Sequence, residues 1–304
     1  MKRKKETIAV VVVTYNRKDL LSECLTSLIH QTKKIDQIFV VDNNSNDGTK
    51  EFLREFSRKN KKINPLFLRK NIGAAGGFYE GMKKSYELGY DWIWMLDDDS
   101  IPHKTALKSL MNKLNILPSE TGFLCSNVYG ISGEVMNVPN INLEYSKNEY
   151  PFWNYFLEKG IVEISSCGWM SLFSRKVIKK IGYPIKELFL WGDDDDFTRR
   201  ASKHFRGFLI GESKILHKRK IENTLNIIKE KDPKRIENFY FLYRNSLYSV
   251  KKNENKKILL KYLMGLIPVF FNIIKSPKRV LKLNIFIKGN FVGFFFNPPI
   301  EFPS

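Results

Sequence analysis

Two clusters of carboxylates are the residues of this chain whose types and spacing suit chemistry. The first, Asp97-Asp98-Asp99, follows the apolar run Trp92-Ile-Trp-Met-Leu96 and is closed by Pro102. Adjacent carboxylates repel, and holding them at the end of a buried strand costs free energy that folding alone does not recover. A divalent cation removes that cost, because hard oxygen ligands converge on one ion. In extended backbone Asp97 and Asp99 share a face while Asp98 points the other way, which gives a D-x-D metal pattern; a solvated acidic turn has the same composition. The second cluster is Asp193-Asp194-Asp195-Asp196 after Gly192. Acids in a helix's first turn complement its dipole, and Asp195/Arg199 and Asp196/Arg200 have i,i+4 spacing. If those pairs are exposed, each is worth under about 1 kcal/mol. Asp193 and Asp194 have no such account, and one of them is a candidate general base. His217 closes a short apolar run; it is a structural histidine unless the fold brings it to the metal.

These groups need elements that end together. Ile8–Val13, Ile38–Val41, Pro65–Leu68 and Trp92–Leu96 are apolar runs of strand length, and continuous runs of this kind suit strands buried on both faces. Each precedes a helical pattern, such as Leu20, Leu21, Cys24, Leu25 and Leu28 on one face. Repeated β–α units predict an α/β fold with a mostly parallel, doubly wound sheet, whose ligands bind at the carboxyl ends of the strands. Thr14 and Arg17 follow the first strand and Asp42 ends the second, so all three lie on the edge that carries Asp97. Strand-end acids of this kind read ribose hydroxyls; a turn aspartate is the alternative for Asp42. Asn71, Gly73, Gly76 and Gly77 lie between the third strand and its helix. Glycine there permits close backbone approach to a ligand, or equally close helix–sheet packing. After Pro102 the expected elements are a helix at Ala106–Leu114, loops and short strands over 122–160, a strand at Ile161–Ser166 and a strand-to-helix step at Leu172–Ile181. An aromatic strand at Leu188–Trp191 and final strands at Phe208–Ile210 and Lys214–His217 follow.

The net charge is +19, from 51 basic and 32 acidic residues, which implies an anionic partner. Residues 251–304 hold ten Lys/Arg and two Glu, a net of +8. Because these charges alternate with Leu, Ile and Phe, they favour a membrane surface over nucleic acid. The apolar stretch Ile258–Ile274 is interrupted by Lys261 and Pro268, which suits a helix lying at an anionic leaflet better than one spanning it; the alternative is that the aromatics of this region pack onto the catalytic domain or a second subunit. The three cysteines show no paired spacing, and the N-terminus reads as basic without a secretion signal; a cytoplasmic location is expected. The chain divides into a catalytic domain, 1–225, and a helical extension, 226–304. A chain ending near Tyr248 is expected to remain soluble.

Taken together, Val10–Arg17, Val41-Asp42-Asn43-Asn44-Ser45 with Asp47-Gly48-Thr49, and Asp97-Asp98-Asp99 resemble the family-2 GT-A glycosyltransferases. Asn71–Phe78 and Trp191–Phe197 are similar to the bacterial galactofuranosyl- and rhamnosyltransferase subgroup. The resemblance covers about residues 7–220. It implies a GT-A fold and an inverting transferase using a nucleoside-diphosphate sugar with Mg²⁺ or Mn²⁺. Residue by residue, it places Thr14, Arg17, Asp42, Asn71, Gly76, Gly77, Asp97 and Asp98 around the nucleotide sugar, and Asp97, Asp99 and His217 around the metal. Asp194, with Asp193 beside it, falls at the base, and Trp169 and Trp191 are assigned to the acceptor side. The implied reaction transfers galactofuranose from its UDP donor to a lipid-linked cell-surface glycan, at the inner face of the plasma membrane. Rhamnose from a dTDP donor is the alternative. A sugar-phosphate nucleotidyltransferase is disfavoured because its Gly-rich, Lys-containing N-terminal loop is missing. A binding protein without turnover is disfavoured by the intact Asp97, Asp99 and Asp194. Oligomeric state is left open.

Overall fold

The structure is a computed structural model, and it describes residues 6–143, 152–219, 225–253 and 255–304. The first half holds β1 (Ile8–Thr14), α1 (Lys18–Ile29), β2 (Gln37–Asp42), α2 (Thr49–Lys59), β3 (Ile63–Phe67), α3 (Gly73–Glu87) and β4 (Trp92–Asp97). Next come β5 (Ser100–Pro102), α4 (Ala106–Lys113), β6 (Thr121–Tyr129), β7 (Val135–Met136) and β8 (Asn140–Ile141). The chain continues through β9 (Ile161–Ser166), β10 (Ser171–Ser174), α5 (Arg175–Ile181), α6 (Asp193–Ser202) and β11 (Arg206–His217). It closes with α7 (Pro233–Asn253), α8 (Lys256–Ile274) and α9 (Arg279–Phe295). The proposed division at 225 adjoins residues 220–224, which lie outside the described residues, as does part of the 122–160 stretch.

Among the described residues one sheet runs β3-β2-β1-β4-β10-β6-β11-β9-β8, with β5 on β11 and β7 on β6. β3, β2, β1 and β4 are mutually parallel. Beyond β4 the sheet is mixed, since β10 runs antiparallel to both β4 and β6, while β6 and β11 are parallel. The continuous apolar runs are explained by two covered faces. Val10, Val12, Ile38, Val40, Trp94 and Leu96 face one core with Leu21, Cys24, Leu25 and Leu28 of α1. Val11, Val13, Phe39, Val41, Ile93 and Met95 face the other with Phe78 and Met82 of α3.

Register sets the site. Thr14 pairs with Asp42 and Val13 with Asp97, so the ends of three strands meet at one edge. β11 is a single strand with an irregularity between Ile210 and Lys214, and its end pairs antiparallel with β5, His217 opposite Ser100. That pairing brings His217 beside the aspartates, and Lys218 N–H donates to the Asp99 carbonyl at 2.8 Å.

One expectation is corrected here. Leu188–Trp191 is not a strand. Phe189 and Trp191 have φ of 64° and 61°, followed by Gly192 at 87°, left-handed backbone that cannot continue a ladder. Its carbonyls turn to α7: Asn245 Nδ2 lies within 2.7–3.0 Å of Leu188, Leu190 and Trp191 O, and Arg244 Nη2 donates to Glu187 and Leu188 O. The C-terminal residues pack on the rest of the fold. Gly289 and Gly293 bring α9 against the backbone of Tyr240 and Arg244, where a Cβ would lie 2.9 and 2.8 Å from their carbonyl oxygens. Glu301 then bonds Lys83 at 2.7 Å and the Tyr79 hydroxyl, tying the last residues to α3.

Candidate active site

The turn after β4 gives the three aspartates different partners at the cavity wall. Asp98 is tied to the protein: its Oδ2 accepts from Thr14 Oγ1 at 2.7 Å and its Oδ1 from Arg17 Nη1 at 3.1 Å. The same guanidinium nitrogen donates to Asp99 Oδ2 at 2.8 Å. Thr14 and Arg17 therefore fix the acidic turn as well as lining the cavity. Asp97, Asp99 and His217 each offer a ligand atom, and these atoms lie within 4.8 Å of one another. His217 Nε2 is 3.0 Å from Asp99 Oδ1, yet that buried oxygen has no aligned hydrogen-bond donor. The other ring nitrogen, Nδ1, is 3.0 Å from Asn137 Oδ1. An Nδ1–H donated to Asn137 leaves Nε2 with its lone pair towards the aspartates. Two carboxylates and an imidazole nitrogen around one point fit a divalent cation.

The electrostatics support the same grouping. Burial, reinforced by the Asp99 charge, pushes the Asp97 carboxyl up to about 7. Burial also lifts Asp98, to about 6, against the pull of Arg17. At Asp99 burial acts upwards too, but His217 and Arg17 hold the carboxyl below its usual range. Asp99 in turn raises His217 against the effect of burial. Clusters whose carboxyls are pushed apart in this way mark functional sites.

Across the same cavity, of about 820 Å³, stands the start of α6. Asp193 is buried and accepts from Trp169 Nε1 at 2.8 Å, and that indole packs on Phe78 with centroids 4.7 Å apart. Asp194 is only part-buried and accepts from Asp195 N–H at 2.8 Å, and among the described residues its other oxygen has no bond that fixes it. Both carboxyls are raised to about 7, first by burial and then by the neighbouring aspartate. Asp195 bonds Arg199 at 2.7 Å near the surface. Asp196 differs from the exposed pair expected. It is buried with Arg200, whose Nε donates at 2.8 Å while Nη1 and Nη2 hold the carbonyls of Ile181 and Tyr183.

Not every expected residue reaches the cavity. Thr14, Arg17, Asn71, Asp97, Asp98, Asp99, Trp169, Trp191, Asp193, Asp194 and His217 line it. Asp42 is buried and its Oδ1 accepts from Ser45 N at 3.0 Å, the turn role. Gly76 and Gly77 are packing glycines: a Cβ on Gly77 would lie 2.5 Å from Val13 Cγ1, and one on Gly76 2.6 Å from Ile72 Cγ1. Of this segment's glycines Gly73 reaches the cavity, at φ +80°, where a Cβ would sit 2.1 Å from the Phe189 carbonyl. Asn43, not Asp42, bridges to this turn, donating to Gly73 O at 2.7 Å and accepting from Ile72 N at 3.0 Å.

The largest omission from the sequence reading is the far wall. Arg235, Asn238, Leu242, Asn245, Ser246 and Ser249 of α7 line the cavity together with Arg219. Their spacing traces one helical face, a polar stripe along α7. Arg235 is held by Glu230 at 2.8 Å. Arg219 has no ion-pair partner among the described residues, and burial and Arg235 lower its guanidinium from the usual value.

Comparison with known proteins gives the fold and the family. The chain is 27% identical over 210 residues to the galactofuranosyltransferase GlfT1 of Mycolicibacterium smegmatis, covering 64% of this chain and 65% of that one. It is 29% identical over 213 residues to GlfT1 of Mycobacterium tuberculosis (strain CDC 1551 / Oshkosh), covering 64% of each. It thus spans just under two thirds of the length of these curated relatives. Among solved structures, S. aureus TarS 1-349 with UDP-GlcNAc superposes with a TM-score of 0.58 at 19% identity, over 84% of this chain and 71% of that one. GalNAc-T7 with UDP, GalNAc and Mn²⁺ gives 0.56 at 14%, over 84% and 54%. These likenesses give the fold, GT-A, an α/β architecture with a mixed sheet. Residues 9–182, which run from β1 through the D-x-D turn to the end of α5, match Glycosyl transferase family 2, and the chain belongs to that family.

Proposed function

We propose that this glycosyltransferase moves galactofuranose from UDP-galactofuranose onto a hydroxyl of a lipid-linked cell-surface glycan, such as an O-antigen, capsule or cell-wall precursor. It does so with inversion and with a bound Mg²⁺ or Mn²⁺. The observation that carries this reading is the meeting of Asp97, Asp99 and His217 with Asp194 in one cavity. Similarity to GlfT1 favours galactofuranose over rhamnose from a dTDP donor.

Asp97, Asp99 and His217 would hold the ion, and the imidazole nitrogen suits Mn²⁺ better than Mg²⁺. A divalent ion held there would offset negative charge on the departing diphosphate. Arg219 and Arg235 add positive charge to the same cavity, which suits an anionic donor. The new bond joins the acceptor oxygen to the anomeric carbon as the bond from that carbon to the diphosphate oxygen breaks. Positive charge develops on the sugar as it passes through an oxocarbenium-like state. The acceptor hydroxyl must lose its proton, and Asp194 takes it. Its carboxyl, raised to about 7, is a stronger base than an ordinary aspartate yet still ionised for much of the time at neutral pH. Asp193, fixed by the Trp169 indole, positions the start of α6 instead of receiving the proton. Trp191 offers an apolar face for the acceptor sugar, while Trp169, buried against Phe78, Phe173 and Phe197, serves the acceptor side through its bond to Asp193. The acceptor is membrane-borne, so the enzyme works at the anionic inner face of the plasma membrane, on the cytoplasmic side.

Release of UDP or dTDP from a set of nucleotide sugars, with and without a lipid-linked acceptor, tests this reading. Turnover of UDP-galactofuranose that requires Mn²⁺ or Mg²⁺ is expected. Transfer unaffected by EDTA overturns the metal assignment, and turnover of dTDP-rhamnose alone overturns the donor.

A further inference from the structure

Helix α8 is apolar nearly all round, yet only one side of it is covered. Leu266, Val269, Phe270 and Ile273 pack with Phe239, Tyr243 and Phe286 of α7 and α9. Leu260, Leu263, Met264, Ile267, Phe271 and Ile274 are exposed, by 38–60% of their surface. Their spacing places them in one stripe along the helix beside the packed face. A contiguous apolar stripe of this kind on a soluble domain marks an interaction surface. On the edge of the stripe away from the protein, helical spacing places Lys257, Lys261 and Lys275, all exposed. Lys278 and Arg279 follow at the turn into α9.

We propose that α8 is a monotopic membrane anchor, lying in the headgroup region of an anionic leaflet with Leu263, Ile267 and Phe271 inserted and Lys257, Lys261 and Lys275 on lipid phosphates. The choice of occupant follows from charge. Residues 251–304 carry a net of +8, which attracts an anionic leaflet and repels a second copy of the same face. The orientation follows from packing. α8 is long and apolar enough to cross a bilayer, but its inner face lies along α7 and α9. α7 in turn holds the Glu187–Trp191 loop through Arg244 and Asn245. A crossing helix would have to leave that packing and bury Lys261 in hydrocarbon. A helix lying flat keeps both, with its free face sunk about 5–10 Å into the boundary region. The purpose assigned to this anchor rests on the proposed lipid-linked acceptor; the surface itself does not.

The test uses the full chain with vesicles of phosphatidylglycerol and phosphatidylcholine, and with vesicles of phosphatidylcholine alone. Salt-sensitive co-sedimentation with the anionic vesicles is expected. Leu263→Gln/Ile267→Gln/Phe271→Gln should lower partitioning by about 10²-fold, given the apolar area these exposed side chains would lose to water. Lys257→Glu/Lys261→Glu/Lys275→Glu, a second variant at exposed positions, should abolish the preference for anionic lipid. Both variants should keep Mn²⁺-dependent heat protection by UDP, which reads the active site separately. A fluorophore at Met264→Cys should be quenched by spin labels near the headgroups. Quenching greatest at the bilayer centre would show a spanning helix and overturn the proposal. So would a wild-type dimer that the Gln variant converts to monomer, or full-length protein that ignores anionic vesicles at low salt. Loss of UDP protection in wild type, with vesicle binding intact, would sink the enzymatic reading and leave the anchor standing.

Discussion

Asp194→Asn should stabilise the protein while disabling it. The Asp194 carboxyl is raised to about 7 by burial and by Asp195, against about 3.9 in an unfolded chain. A carboxyl whose folded pKa is raised favours the folded state fully only below its unfolded pKa. That contribution is lost as pH rises through about 7. At pH 8 the loss amounts to about 4 kcal/mol at 1.36 kcal/mol per pKa unit. Asp194 is partly open to the cavity, so solvent screening brings this nearer about 2 kcal/mol. Asparagine has the same shape and no charge, so the metal-free variant in EDTA should gain about 2 kcal/mol at pH 8. For a chain of this length, at about 2.1 cal/mol/K of unfolding entropy per residue, that is a rise of about 3 °C in Tm. At pH 5 the gain should be less than half as large. Turnover of UDP-galactofuranose should meanwhile fall by about 10²-fold or more, the scale of a lost general base, with UDP protection unchanged. Thermal scans at the two pH values and a steady-state transfer assay measure both effects. A variant that is less stable at pH 8 than wild type, or that keeps its kcat, refutes the assignment of Asp194 as base.

Asp195→Asn and Asp196→Asn should separate in denaturant titrations. The first breaks a surface pair worth under about 1 kcal/mol, while the second leaves Arg200 charged and buried and should cost about 3 kcal/mol; equal losses would contradict the burial of Asp196. Gly77→Ala should cost about 1–3 kcal/mol by overpacking, because the new methyl meets Val13, and an unchanged Tm would show that α3 moves freely on β1. Ending the chain near Tyr248 should now cost solubility, because it removes α9 from α7 and Phe296 from the Tyr248 ring; a soluble monomer with native Tm would show that the C-terminal helices are dispensable to the fold.

Half of the site could be read because it obeys local rules. β1, β2 and β4 are apolar runs that end in polar residues, and parallel pairing places such ends at one edge whatever lies between them. The aspartates of the D-x-D turn were legible for that reason, and the i,i+4 pairs of α6 because helical spacing is local. His217 could be named only through the resemblance. Its position depends on β11 running antiparallel to β5, a pairing between segments more than a hundred residues apart that no window of sequence contains. Leu188–Trp191 misled because its residues are aromatic and strand-like in composition. The backbone there takes positive φ at two non-glycine positions, a cost of the order of 1–3 kcal/mol each that persists only where the surroundings enforce it. The enforcing groups, Arg244 and Asn245, lie more than fifty residues later on α7. The same helix supplies the wall with Arg235 and Asn238, and its outer side carries α8 and α9. A strained loop that presents Trp191 and the start of α6 to the cavity is thus held by the helix on which the proposed membrane anchor rests. The acidic turn and its candidate base stand on opposite sides of one cavity, and the C-terminal helices set the second side as firmly as the parallel sheet sets the first.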